Sequence, residues 1–346
     1  MRAGFLSAAL SALTLLLAGA AFAGPALVFD PSDGKVLYAE DADDQWHPAS
    51  LTKIMTAYLT FEALKSGKLT LEQRIPYSEQ AMMQPPSKLG LHPTATLTVD
   101  QALKALIIKS ANDVAVMLAE AVSGSQPEFV ARMNQTAQRL GMTRTIFVNP
   151  NGLPAPEQVT TARDLGKLAR AAIKNYPEHI PYWSMFNAKI GKIFIGSHNG
   201  LLRTFEGADG MKTGFICDSG FNVVASATRD GRQIMAVVLG EATGGKRTVR
   251  AATLLEHGFQ SYGWKQLFNH SQSLDTMPIA ADAKAVTSVR KAVLSFECGT
   301  GVRRKRPAKG KGVKKKQRAA DAPIEQHQGA PSQKTKMASD PAGTAN

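Results

Sequence analysis

Three short motifs hold the side chains of this chain that could do covalent chemistry. Ser50-Leu51-Thr52-Lys53 comes first, Ser110-Ala111-Asn112 follows, and Lys212-Thr213-Gly214 completes the set. A serine hydroxyl is a weak nucleophile at neutral pH and needs a base within hydrogen-bond reach. A lysine three residues further along a helix shares its face and can be that base. Each motif also has an ordinary reading. Ser50 opens an apolar run, where a serine commonly only caps a helix. Lys53 could be a solvated helix lysine, and Ser110 and Asn112 could be capping residues. Lys212 could be a charge that protects a sheet edge. S-x-x-K or S-x-N alone recurs by chance; the ordered set of three is what points to acyl transfer.

In that chemistry Ser50 is the acyl-accepting nucleophile and Lys53 takes its proton. A free lysine titrates near ~10.4, so burial and a second cation must lower Lys53 toward neutrality, and Lys212 is the candidate. Ser110 could pass a proton to a leaving amine, and Asn112 could bind a substrate amide. Lys212-Thr213-Gly214 reads as a strand that pairs with an extended peptide through its backbone. Gly214 allows close approach, and Thr213 can hold a terminal carboxylate.

These residues must be positioned by a folded body, and the sequence outlines one. Ala26–Phe29 and Val36–Ala39 flank the Asp33-Gly34 turn as a hairpin. Ser50 to about Lys65 reads as a largely buried helix. Thr98-Val99-Asp100-Gln101 is a capping box whose helix runs into Ser110, and a further helix spans Asp113 to Val122. Residues 125–182 read as helices and loops, including the Asn149-Pro150-Asn151-Gly152 turn and a helix from Asp164 to Lys174. Strands follow near Ile190–Ile195, Gly210–Phe215, Phe221–Thr228 and Gln233–Leu239, then a helix from Lys246 to Tyr262. The expected fold is α+β: an antiparallel sheet covered by helices, beside an all-helical subdomain.

The two ends have other compositions. Arg2 precedes an apolar run from Phe5 to Phe22 that closes on Ala21-Phe22-Ala23, so residues 1–23 read as a removed signal peptide. The formal charge of +13 is concentrated at the other end: residues 300–346 hold 12 Lys+Arg against 3 Asp+Glu. Ten basic residues and no acidic one fall within Arg303–Arg318, in a segment too poor in apolar residues to fold. The body is nearly neutral, which argues against a nucleic-acid partner. The tail reads as disordered and suits an anionic membrane or wall polymer. Cys217 and Cys298 could pair or stand as separate thiols, and no Cys/His cluster has metal-ligand spacing, so no cofactor is expected. The domain reading is 24–270 for the body, 271–299 for a short extension with one strand at Val293–Phe296, and 300–346 for the tail.

The sequence resembles the low-molecular-mass penicillin-binding proteins, the serine D-alanyl-D-alanine carboxypeptidases of the penicillin-binding protein 5/6 type. Beyond the three motifs, the resemblance runs through Pro48-Ala49-Ser50-Leu51-Thr52-Lys53-Ile54-Met55-Thr56, Lys109-Ser110-Ala111-Asn112-Asp113 and Phe147-Val148-Asn149-Pro150-Asn151-Gly152-Leu153. It continues in His198-Asn199-Gly200-Leu201-Leu202, Asp209–Gly214 and Ser219-Gly220-Phe221-Asn222, covering roughly residues 26–262. It implies attack by Ser50 on the penultimate D-Ala carbonyl of peptidoglycan stem peptides, release of D-Ala and hydrolysis of the acyl-enzyme. It also implies an oxyanion hole from the N–H groups of Ser50 and Phe215, with β-lactams as covalent inhibitors. Three features depart from the pattern. Phe215 stands where relatives often have a polar residue. His198 replaces an arginine of some relatives, which could shift carboxylate binding to Arg247. The segment after Gly263 is too short for the usual β-rich domain and amphipathic anchor.

A D,D-endopeptidase uses the same groups. A class A β-lactamase needs a glutamate in an E-x-x-L-N pattern, which none of Glu120, Glu128, Glu157, Glu178 and Glu206 begins. A non-catalytic wall-binding protein would have no need of the complete set.

Overall fold

The computed structural model describes residues 24–267, 272–295, 298 and 299. The expected signal peptide and basic tail lie outside these residues. Strands β1 (Ala26–Phe29) and β2 (Val36–Glu40) form the first hairpin, and a 3-10 turn (Ala49–Thr52) leads into α1 (Lys53–Lys65). Then come β3 (Arg74–Pro76), α2 (Glu79–Met82), β4 (Thr96–Thr98) and α3 (Val99–Lys104), the last continued by a π-turn at Ala105–Lys109. Helices α4 (Asn112–Ser123), α5 (Gln126–Arg139), α6 (Ala162–Asn175) and α7 (Pro181–Ser184) follow. The chain closes with β5 (Asn187–Ile190), β6 (Ile193–Gly196), α8 (Leu201–Thr204), β7 (Ala208–Ile216), β8 (Gly220–Arg229), β9 (Arg232–Glu241) and α9 (Gly244–Leu267).

The main sheet runs β2-β1-β9-β8-β7, antiparallel throughout, so the strand bearing Lys212-Thr213-Gly214 is an edge. Apolar residues alternate between the two faces with the strand period of two. In β9, Ile234, Ala236 and Val238 pack with Leu255 and Ala251 of α9, while Met235, Val237 and Leu239 join the larger core on the other face. That larger core includes α1, buried on nearly every side, and Leu165, Leu168 and Ala169 of α6. The tight turn between β8 and β9 uses positive φ at both Asp230 and Gly231, as a two-residue hairpin demands.

Local signals hold at the second motif's helix. The Thr98 hydroxyl accepts from the Gln101 N–H at 3.1 Å, and Gln101 Oε1 accepts from the Thr98 N–H at 3.0 Å. The helical region is not purely helical, since β3 and β4 pair as a small ribbon within it. Residues 272–295 form no strand: Val293 is fully buried and Leu294 exposed, and the Leu294 N–H donates to the Ala242 carbonyl at 2.9 Å without a strand ladder. Phe296 lies outside the described residues. The two cysteines are joined as a Cys217–Cys298 disulfide, so they are not separate thiols.

Candidate active site

Ser50 sits in the 3-10 turn one residue after Ala49, which has a positive φ of 47°. An L-residue in that region is strained, so its surroundings must hold it there. Two glycines make the fit. Gly152, with φ 81°, lets its loop press on the Ala49 carbonyl, where any Cβ would collide. Gly214 brings β7 against the turn: a Cβ there would stand 3.0 Å from the Ser50 nitrogen and 3.0 Å from the Pro48 oxygen. Ser50 therefore does not cap a helix; α1 begins at Lys53, and the turn's cap position makes no side-chain hydrogen bond.

Lys53 is fully buried. Its ammonium nitrogen lies 3.0 Å from Ser50 Oγ and 2.8 Å from Asn112 Oδ1, and it also donates to the Asn151 carbonyl. Burial pushes its pKa well below the usual lysine range, the charge of Lys212 pushes the same way, and Asp113 opposes both. A neutral amine has two N–H donors and one lone pair. Three partners suit it if it donates to Asn112 and Asn151 and accepts the Ser50 hydroxyl proton. The solvated-lysine reading fails.

The second motif is shaped by a break in helix geometry. After the π-turn, Ser110 takes the left-handed conformation (φ 60°, ψ 37°), and α4 then starts at Asn112. Asn112 caps nothing with its side chain. Its oxygen receives Lys53, and its Nδ2 donates to the Pro85 carbonyl at 2.9 Å. Asp113 staples the facing loop: its carboxylate accepts from the N–H groups of Leu89 and Gly90 and from the Tyr77 hydroxyl at 3.1 Å. Burial and Asp113 together push Tyr77 up to about 12.

Lys212, 2 % exposed, donates to Ser110 Oγ at 2.9 Å and to the Thr213 carbonyl at 2.9 Å. Burial lowers its pKa, and the nearby Arg247 charge adds to the effect. Arg247 is itself buried, which lowers it to about 10, and it donates to the His198 carbonyl at 3.0 Å. His198 is held below its ordinary range, first by burial and then by Lys212, Lys109 and Arg247. A cleft of ≈ 580 Å³ joins these groups, with Ser50, Ser110, Asn112, Thr213, Gly214, Phe215 and Arg247 on its walls. Ser50, Lys53, Ser110, Asn112, Lys212, Thr213, Gly214 and Phe215 thus come together at one place.

One participant had no signature. Asn149-Pro150-Asn151-Gly152 reads as a turn, yet it supplies a carbonyl to the base. The loop is latched to α1 by Thr56 Oγ1 donating to the Pro150 carbonyl at 2.6 Å, and Gly152 N–H donates to Asn149 Oδ1 at 2.7 Å. The signals available were the turn chemistry and the place of Phe147–Leu153 in the family resemblance, neither of which points to a backbone carbonyl on Lys53.

A serine beside a buried lysine, with a second lysine on a serine opposite, is a set of groups suited to serine-type acyl transfer, carried on an α+β sheet. Residues 17–243 match the family profile described as D-alanyl-D-alanine carboxypeptidase, and the chain belongs to that peptidase family. It is 37% identical over 243 residues to the carboxypeptidase DacC of Escherichia coli, covering 68% of this chain and 61% of DacC. To DacF of Bacillus subtilis it is 32% identical over 254 residues, 72% of this chain and 65% of DacF. The chain thus spans 61 to 65% of the length of these curated relatives. Among solved structures, penicillin-binding protein 5 of Haemophilus influenzae superposes with a TM-score of 0.67 at 35% identity, over 69% of this chain and 71% of that one. Penicillin-binding protein D2 of Listeria monocytogenes, in its ampicillin-bound form, gives 0.64 at 31%, over 68% of this chain and 97% of that one. The fold is therefore the one these penicillin-binding proteins share.

Proposed function

We propose that this chain is an exported serine D,D-carboxypeptidase that removes the terminal D-alanine from peptidoglycan stem peptides. The observation that carries the reading is the buried Lys53 amine, placed 3.0 Å from Ser50 Oγ and depressed below its ordinary pKa. Ser50 Oγ–H gives its proton to Lys53 as the oxygen attacks the penultimate D-Ala carbonyl. The N–H groups of Ser50 and Phe215 hold the oxyanion that forms. Ser110, bonded to Lys212, relays to the leaving amine the proton that Lys53 took from Ser50, and the C–N bond breaks. Water then attacks the ester, giving a proton to Lys53, and that proton returns to Ser50 as the ester bond breaks. The leaving D-Ala carboxylate lies among Lys212, Thr213 and Arg247, and the peptide backbone runs along Gly214 and Phe215. Asn112 Oδ1 holds the base, and its Nδ2, which has two N–H donors, gives one to the Pro85 carbonyl and can offer the other to a substrate carbonyl.

β-Lactams acylate the same serine in this reading. Residues 1–23 direct export, among the described residues no helix is long and apolar enough to cross a membrane, and the basic tail tethers the enzyme to an anionic surface. Truncation after Gly301 then abolishes salt-sensitive sedimentation with anionic vesicles while peptide turnover is kept. The decisive experiment is labelling with fluorescent penicillin. Ser50→Ala loses all label at an unchanged circular dichroism spectrum, and stoichiometric label on that variant rules the mechanism out. Mass analysis of products from a pentapeptide and from a cross-linked dimer then assigns carboxypeptidase or endopeptidase action.

A further inference from the structure

The cleft wall offers two kinds of chemistry. Lys109, His198 and Arg247 line it, with the Lys212 charge close enough to act on His198. Phe215 stacks on Phe221 with ring centroids 4.2 Å apart, and Ser295 joins them on the cleft wall. Ser295 comes from far along the chain. It ends a strap, residues 272–295, that is fastened along its whole course. Val36 N–H donates to the Gln272 carbonyl at 2.9 Å, and Leu274 is fully buried. Arg163, paired with Asp43 at 2.6 Å, donates to the carbonyls of Met277 and Pro278. The Asp218 carboxylate receives Ser288 and Arg290, and its carbonyl accepts from the Val289 N–H at 3.0 Å. The Cys217–Cys298 disulfide completes the attachment. Cys217 and Asp218 both lie in the turn that follows β7, just beyond Phe215.

Direction follows from the site. A peptide with its carboxylate on the Lys212 side and its scissile carbonyl at Ser50 must carry its remaining residues past Phe215 toward that turn. We propose that the strap is a specificity-determining wall for the acyl side of the substrate. Ser295 and the stacked Phe215–Phe221 pair contact the residues upstream of the D-Ala-D-Ala unit, and the disulfide keeps the wall in place. This inference rests on the reading that Ser50 is acylated by such peptides.

Two full-length variants test it. Cys217→Ser/Cys298→Ser unfastens the wall, and Ser295→Tyr alters it with the disulfide intact, which covers the case in which the first variant folds poorly. Each is assayed with the pentapeptide L-Ala-γ-D-Glu-L-Lys-D-Ala-D-Ala and with 6-aminopenicillanic acid, a β-lactam with no acyl side chain. The pentapeptide kcat/KM is expected to fall roughly tenfold, through KM, in both variants. Acylation by 6-aminopenicillanic acid stays within about twofold, since that reagent does not reach the wall. Equal change toward both reagents, or no change toward either, overturns the proposal. A parent chain inert to both overturns the acyl-enzyme reading instead, so the two failures are told apart.

Discussion

The two faces of the central sheet are built on opposite rules. Behind it, under α9, Val28, Leu37, Ile234, Ala236, Val238 and Leu255 pack together as an apolar cluster. In front, where the 3-10 turn meets β7, the molecule buries Lys53 and Lys212 and holds Ala49 and Ser110 at positive φ. Buried amines of the same sign repel and are costly to desolvate. Such a seam is not a stability device. The apolar layer offsets its cost, and the seam sets Ser50 and Lys53 3.0 Å apart, the arrangement that the proposed acyl transfer requires.

The largest expected break in this contrast comes from replacing the base with a group that stays a cation. Lys53→Arg places in the seam a group that does not give up its proton at any working pH. Penicillin acylation should fall by about 10²–10⁴-fold, the usual worth of a positioned general base. Near-parental acylation by this variant, read by stopped-flow quenching of a fluorescent penicillin, would remove Lys53 from the mechanism.

A sharper test adds the same methyl group on each side of the sheet. In Gly152→Ala, the new Cβ collides with the Ala49 carbonyl and sits at a φ that L-residues avoid. The turn bearing Ser50 must move, and misplacement on the order of 1 Å is enough for a ~10²-fold loss of kcat/KM. In Gly258→Ala on α9, the Cβ meets Ile234 Cγ2 at 2.7 Å and Val28 Cγ1 at 2.9 Å, both on stiff β-branched side chains. Overpacking of this kind costs about 1–3 kcal/mol, offset in part by alanine's better helix propensity. Thermal unfolding should therefore move down by a few degrees, on the order of 2–4 °C per kcal/mol, with kcat/KM intact. If the rear variant loses activity as heavily as the front one, the two regions are not separable.

The difference between the regions also governs what could be read in advance. The sheet's core was legible because strand and helix signals are local patterns: the continuous apolar run Met235-Ala236-Val237-Val238 marks a strand buried on both faces. The three motifs of the candidate site were legible because their side chains are rare in combination. Tertiary contacts were not. Ala49 takes its conformation from the Gly152 loop, which presses on its carbonyl across about a hundred residues of sequence. Asn151 acts through its backbone carbonyl, which every residue has. Val293-Leu294 carried the alternation of a strand, and its burial does alternate, but no partner strand reaches it among the described residues. The cysteines lie 81 residues apart, and spacing alone could not show that they meet.

The smallest expected effect is a shift in pH dependence, and it separates the two lysines of the seam. Acylation needs Lys53 neutral, so the rate rises with pH as that amine loses its proton, below the ~10.4 of a free lysine. Carboxylate recognition needs Lys212 charged, so the rate falls again when the second proton leaves. The two limbs belong to the pair as a whole. Arg247 lowers Lys212 but is not among the causes that lower Lys53. Removing that cation in Arg247→Ala should raise the pKa of Lys212, since a like charge no longer disfavours its protonated form. The alkaline limb of kcat/KM should therefore move to higher pH while the acid limb stays within a few tenths of a unit. The height of the profile falls as well, because the substrate carboxylate loses a partner; the shape is the readout. Gly258→Ala provides the control and should leave both limbs in place. An alkaline limb that stays put in Arg247→Ala would mean that the fall in rate is not governed by Lys212.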